Sequence, residues 1–318
     1  MPDLILRWSV GLQDTTKLSD FKNQDKFNNL IWLTKLSIVS FQKWFPNAHC
    51  ILMYNGQDFD SFKQAFDSVD LPIKQLEIIN QTKLFGFEKY INPYHFIPQG
   101  VWWKWVPFRF DKSCNEISID TDIICINEPK DWYKWLEGKE EIVVAPERFD
   151  EIIVNTCGDF HKHPVLNGKM PINCGIVGQR QGCDFSERFF DITKEIRYGY
   201  THDSLFITEQ GAINIWVYSL EMENISHYVL NFEKCAWIRD FLYYLEKGVI
   251  VETVHATTWH KQIAQLLKPV LEKKVLNEMS NEEFLLEVLK ISKEMNFYAK
   301  YAVGRQLGED KKKLEFYF

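Results

Sequence analysis

The sequence predicts an α/β fold: a mostly parallel sheet flanked by helices, with a C-terminal helical extension. Two observations carry this. In the first half, short apolar runs of strand length alternate with segments whose apolar residues recur at helical spacing. That alternation builds a mostly parallel sheet covered on both faces. After about residue 265 the composition turns helical and charged. The expected division is a main domain over 1–265 and an extension over 266–318.

Residues 4–10 read as a short apolar strand, followed by a polar loop over 11–25. Beyond it Leu30, Ile31, Leu33, Leu36, Ile38, Val39 and Trp44 recur at helical spacing until Pro46 stops the run. Residues 49–54 form the next strand, closing on the turn signal Asn55-Gly56. A helix is expected over 59–69, a strand over 73–79, and a helix over 100–110 broken near Pro107. Residues 116–126 read as one strand with two acids inside it, and 141–145 as another. Residues 152–170 carry Asn, Cys, Gly, His and Pro without a clear period and read as loop, with His161 and His163 either facing an acceptor or solvated. A strand over 172–177, helices over 187–198 and 210–217, and a strand over 249–254 running into His255 follow. Ser280 and Glu283 form a capping box that opens a helix bearing Phe284, Leu285, Val288, Leu289 and Ile291. The final KKKLEFYF reads as a solvated or packing tail, or as a peripheral membrane contact.

Composition narrows the function classes. With 318 residues, 46% hydrophobic and 25% charged, the chain is long enough to bury a core and is neither disordered nor a membrane bundle. Its 37 Lys and Arg against 44 Asp and Glu give a net charge of −7. Such a chain is not built around a phosphate-coating surface, so general nucleic-acid binding is not expected, though a local basic groove stays open. The 15% aromatic content serves either a bulky core or a stacking surface. Seven scattered cysteines without a Cys-x-x-Cys pair suit reduced thiols rather than a disulfide framework or a zinc cage. Arg7 interrupts the first apolar run, no small-residue cleavage site follows, and no run of eighteen apolar residues exists. A cytoplasmic location is the expectation.

The most informative stretch is Ile119-Asp120-Thr121-Asp122, where apolar residues flank an acidic pair at i and i+2. Carboxylates are costly to bury without a metal, partner or hydrogen bonds. A turn at the strand's C-terminal end would bring both acids to one divalent ion, where hard oxygen ligands suit Mn²⁺ or Mg²⁺. Ligands in open α/β sheets gather beyond such strand ends. Two solvated acids at a strand terminus are the plain alternative. No glycine-rich phosphate fingerprint is present, so dinucleotide binding and P-loop hydrolysis both fail.

Three further segments join this pair: Ile172-Asn173-Cys174-Gly175, Glu209 to Asn214 as EQGAIN, and His255 to Lys261 as HATTWHK. In order and approximate spacing, the set resembles the nucleotide-sugar glycosyltransferases of the GT-A fold, and is most similar to the retaining family that includes glycogenin and bacterial galactosyltransferases. Glu209 stands where that family has Asp, Thr258 where it has Gly, and Gln262 where it has Pro. The likeness covers about residues 3–262.

The resemblance implies a GT-A domain and transfer of a hexose from a nucleoside diphosphate sugar, UDP-linked, to a carbohydrate or other hydroxyl acceptor with retention. It implies that Asp120, Asp122 and His255 hold the metal and that Lys261 meets the donor phosphates. Lys104, with Arg109 as competitor, would contact the sugar or diphosphate, and Asp120, Thr121, Asn173 and Gly175 would also line the donor. The main chain of Trp8, Ser9 and Val10 would receive the base. Glu209 or Gln210 would flank the anomeric centre, although the helix dipole explains an acid at 209 equally well. Other readings are a binding-only protein on the same scaffold and a sugar-phosphate nucleotidyltransferase.

Overall fold

The computed structural model describes residues 3–11, 24–56, 58–81, 100–147, 153–199, 205–256 and 261–294. A seven-stranded sheet runs in the order β3-β2-β1-β4-β7-β6-β8. Its strands are β1 (Leu4–Val10), β2 (His49–Tyr54), β3 (Glu77–Asn80), β4 (Asn115–Ile119), β6 (Ile142–Pro146), β7 (Ile172–Gln179) and β8 (His227–Val229). A second sheet has the order β5-β10-β9, from β5 (Ile123–Cys125), β9 (Cys235–Trp237) and β10 (Thr253–His255). The helices are α1 (Gln24–Trp44), α2 (Phe59–Asp67), α3 (Lys130–Glu137), α4 (Ile153–Cys157), α5 (Ser186–Gly199), α6 (Leu205–Met222), α7 (Ile238–Glu246), α8 (Lys261–Val275) and α9 (Asn281–Glu294).

The α/β expectation holds, with one strand reversed. β1 is parallel to β2 and β4, β2 to β3, and β6 to β8, whereas β7 is antiparallel to both β4 and β6. Because it is reversed, β7 begins where β4 and β6 end. Its first residues therefore meet the carboxyl ends of its neighbours.

The central strands β1, β4 and β7 are buried almost throughout, polar residues such as Asn115, Glu116 and Ser118 included. Leu6, Trp8, Ile117 and Ile119 are inaccessible to solvent, each such side chain contributing about 1.5–3 kcal/mol of burial. Arg7 is the charged residue of β1. Its Nη1 donates to Pro107 O at 2.5 Å and its Nε lies 3.2 Å from Glu116 Oε1, which ties the segment before β4 to the sheet. Trp8, Trp102, Trp105, Trp132, Trp135 and Trp216 are among the largest fully buried side chains, so much of the aromatic content is core.

Several expectations are corrected. Residues 116–126 are not one strand: β4 stops at Ile119, a turn carries the acids, and β5 enters the other sheet. Apolar residues continue through the run because both flanks are buried. Residues 153–166 are not loop but α4 followed by the 3-10 turns Gly158–Lys162 and Pro164–Leu166, too short to print a period. Neither His161 nor His163 is simply solvated: His161 Nδ1 lies 2.6 Å from Gly158 O, and His163 Nδ1 accepts the Val165 N–H at 3.3 Å. The segment over 100–110 is a 3-10 helix, Gly100–Trp105. β3 and β10 are shorter than expected, and the helix over 210–217 is the middle of α6.

The C-terminal helices pack on the rest. Leu267 and Leu271 of α8 and Phe284 and Val288 of α9 share one apolar cluster with Leu36 and Phe241. The capping box forms as expected: Ser280 N–H donates to Glu283 Oε2 at 2.8 Å and Glu283 N–H to Ser280 Oγ at 3.2 Å. Among the described residues, no helix is long and apolar enough to cross a membrane. Most of the 11–25 loop and the whole of the KKKLEFYF tail lie outside the described residues.

Candidate metal and ligand site

The site is built where β4 ends. Asp120 N–H donates to Gly175 O at 2.7 Å, and Ile123 N–H turns back to Asp120 O at 3.2 Å. The turn thus directs two carboxylates to the same place. β10 supplies the third group: it pairs antiparallel with β5 so that His255 is in register with Ile123, and Ala256 N–H donates to Asp122 O at 2.8 Å. As a result His255 Nε2 lies 3.2 Å from Asp122 Oδ1 and 3.9 Å from Asp120 Oδ2. One ligand atom from each of Asp120, Asp122 and His255 can be chosen so that all lie within 4.8 Å of one another. Trp237, opposite His255 on β9, packs against its ring at a tilt of 35° with centroids 4.5 Å apart.

Two carboxylate oxygens and an imidazole nitrogen are a donor set for a hard divalent cation such as Mn²⁺ or Mg²⁺. Electrostatics already links the three. Burial alone would raise the Asp122 pKa, but His255 outweighs it and brings the carboxyl below its ordinary value. Burial would lower His255, yet Asp122 and then Asp120 raise it.

Lys104, in the 3-10 segment Gly100–Trp105, reaches the site from the other side. Its Nζ lies 2.6 Å from Asp120 Oδ1 and 2.8 Å from Glu209 Oε1, and donates to Cys174 O at 2.9 Å. Burial works against the ammonium, but Asp120 and Glu209 hold its pKa well above the usual lysine range. Glu209, on α6, is deeply buried and also accepts the Trp105 indole N–H at 2.8 Å. Burial raises its pKa, with Lys104 opposing only in part. Arg109 is not in the site: its Nη1 donates to Gln179 O at 2.8 Å and its Nη2 to Cys114 O at 2.6 Å, at the opposite end of β4 and β7.

The start of β7 closes the arrangement. Asn173 Oδ1 accepts the Gly175 N–H at 2.7 Å, so this strand end is braced beside Asp120. Burial drives the Cys174 thiol well above its ordinary range, which leaves it a packing residue rather than a nucleophile. Gln210 and Asn214 share one face of α6, and Asn214 Oδ1 accepts the Ile172 N–H at 2.8 Å. That contact fixes α6 against β7.

The structure thus brings together Asp120, Asp122, His255, Lys104, Asn173, Gly175, Glu209 and Gln210. Thr121 sits in the same turn, half-buried. Trp8 and Val10 end β1 with their side chains in the core, and Ser9 Oγ lies 3.5 Å from Gln81 Oε1. Lys261 opens α8, but its side chain, with Thr258 and His260, lies outside the described residues. Sequence reasoning missed Glu147, Trp105 and Trp237. Glu147 carried a signal: like Asp120, it is an acid directly after an apolar strand.

No family model and no curated protein matches this chain. Among solved structures it is similar to the glycosyltransferase GlyE of Streptococcus pneumoniae TIGR4, at 11% identity and a TM-score of 0.46, over 92% of this chain and 64% of that one. It is also similar to the galactosyltransferase LgtC, in a complex with donor and acceptor sugar analogues, at 9% identity and a TM-score of 0.48. That match covers 90% of this chain and 99% of the other. A third is the bifunctional glycosyltransferase WbbM, at 10% identity and a TM-score of 0.48 over 91% of this chain and 51% of that one. The chain therefore spans less than two thirds of the GlyE chain and about half of the WbbM chain.

Proposed function

We propose that this chain is a metal-dependent glycosyltransferase that moves a hexose from a nucleoside diphosphate sugar, UDP-linked, to a hydroxyl acceptor with retention. The observation that carries the reading is the convergence of Asp120, Asp122 and His255 at the carboxyl end of β4, with the Lys104 ammonium against the same carboxylate. These are groups that suit a diphosphate and its cation.

Asp120, Asp122 and His255 would hold Mn²⁺ or Mg²⁺, which would supply positive charge to offset the negative charge growing on the leaving diphosphate. Lys104 adds a fixed cation beside the same oxygens, and Lys261 a second one on the donor phosphates. Glu209 spends its Oε1 on Lys104 and Trp105, so its part is to hold that cation in place. Gln210 is left as the polar group to flank the anomeric carbon. Asn173 and Thr121 contact the donor, Gly175 lets it approach the backbone, and the main chain of Trp8, Ser9 and Val10 receives the base.

The test is donor hydrolysis across a panel of nucleotide sugars with Mn²⁺, Mg²⁺ or EDTA. Slow release of UDP from one donor, lost in EDTA, is expected. Thermal stabilisation by a donor without release would favour a binding-only relative. Neither release nor stabilisation with any donor overturns the reading.

A further inference from the structure

We infer that Glu147 is a positioning residue for the transfer step: its carboxylate fixes which way the Gln210 and Asn173 amides face. This rests on the functional reading above for its consequence, but not for its geometry. Glu147 follows β6 directly and is buried. The register between β6 and β7 jumps at Val144 and Ala145, from the Val177 partner to Asn173, and this brings the start of β7 alongside the end of β6. Glu147 Oε2 there accepts the Asn173 Nδ2–H at 3.1 Å and the Gln210 Nε2–H at 2.7 Å.

A carboxylate has no hydrogen to give, so both amides must turn their NH₂ groups toward it. Their carbonyl oxygens then face elsewhere. Asn173 Oδ1 takes the Gly175 N–H, and Gly175 O in turn takes the Asp120 N–H. Gln210 Oε1 accepts the Cys174 S–H at 3.8 Å, and the Cys174 carbonyl accepts from Lys104 Nζ at 2.9 Å. A glutamine with no fixed partner presents donor or acceptor with equal ease. Only the oxygen can stabilise positive charge growing at a reacting carbon. Glu147 therefore selects the oxygen at Gln210 and, through Asn173 and Gly175, braces the turn that carries Asp120.

The test uses the full chain, the donor that gives metal-dependent release, and Mn²⁺. Glu147→Gln should lower kcat about 10–100-fold, as loss of an outer orienting partner does, with KM for the donor near wild type. Glu147→Asp should recover part of the loss. In a Gln210→Ala background, Glu147→Gln should add little further loss. Losses that multiply in the double variant, or an unchanged kcat in Glu147→Gln, overturn the inference. A second measurement needs no turnover: the side-chain amide signals of Gln210 and Asn173 in ¹⁵N-labelled protein should move in Glu147→Gln and return toward wild type in Glu147→Asp. Unmoved signals overturn the positioning role. A wild-type chain that releases nothing from any donor sinks the glycosyltransferase reading alone, and the amide signals still decide the geometry.

Discussion

His255 Nε2 stands 3.2 Å from Asp122 Oδ1 although the two are 133 positions apart in the sequence. The contact follows from one pairing, β10 against β5, which sets His255 opposite the residue just after Asp122. The second, small sheet thus completes a site whose acids leave the large one.

That pair gives a pH dependence of definite sign. Without metal, burial opposes the His255 charge but Asp122 and Asp120 raise its pKa above the ordinary 6.5. Its contribution to stability is therefore complete below the ordinary value and lost as pH rises through the raised one. Asp122 is depressed below 3.8, so its contribution is lost only as pH falls through that lower value. Metal binding runs the other way near neutrality, because only the neutral imidazole can ligate. Stabilisation by Mn²⁺, followed by thermal melting, should grow as pH rises across the neutral range. The pH dependence should flatten in His255→Ala, and the Mn²⁺ effect should vanish in Asp122→Asn with the far-UV spectrum unchanged. Stabilisation that shrinks with rising pH would contradict the ligand set.

Lys104 and Glu209 make the second prediction. Both are buried, at 7% and 1% side-chain exposure. Removing one partner of a buried pair leaves a charge with nothing to offset its desolvation, which costs about 3–5 kcal/mol. Lys104→Met should lose stability on that scale in chemical denaturation. Because burial already raises the Glu209 pKa, the variant should regain stability as pH falls and Glu209 takes up a proton. Lys104→Met with Glu209→Gln should be more stable than Lys104→Met alone. If the double variant is the less stable of the two, Glu209 is not balanced by Lys104.

Gly175→Ala tests the close approach at the start of β7. A methyl group there would sit 2.7 Å from Asn173 Oδ1, 3.0 Å from Ile123 Cδ1 and 3.1 Å from Asp120 Oδ2. The oxygen of Asn173 is the group that must yield, and it is bonded to the Gly175 N–H. Mn²⁺ affinity, measured by titration calorimetry, should fall about 10-fold or more, on the scale of losing an outer partner of a metal site. Unchanged affinity would mean that the turn carrying Asp120 does not depend on Asn173.

The acids were legible because two carboxylates inside an apolar run need a reason, whereas His255 entered only through the resemblance that joined HATTWHK to them. Glu147 was not legible as a partner of Asn173 and Gln210. Its meaning depends on β7 running backwards between β4 and β6, and strand direction leaves no mark on the local pattern of residues 172–179. The break between β4 and β5 was hidden for a related reason. Ile117, Ile119, Ile123 and Ile124 are all buried, but in two different sheets, and hydrophobicity records burial without recording the sheet. Residues 153–166 looked irregular because each helical turn there ends before a period can repeat.

Trp8 supplies the last prediction, which separates the core behind the site from the site itself. Its indole N–H donates to Ser37 Oγ at 2.9 Å, and Ser37 Oγ donates to Ile123 O. This chain of bonds links β1 through α1 to the first residue of β5, just after Asp122. Trp8→Phe removes a buried donor and leaves a gap, and should cost about 1–3 kcal/mol. The turn itself has separate anchors, since Asp120 N–H is held by Gly175 O and Asp122 O by the Ala256 N–H. Mn²⁺ affinity should therefore stay within about 2-fold of wild type, while the denaturation midpoint drops. A variant with full stability but weakened Mn²⁺ binding would reverse that division, and would make the indole, rather than the main chain of β7 and β10, the support of the turn that carries Asp120 and Asp122.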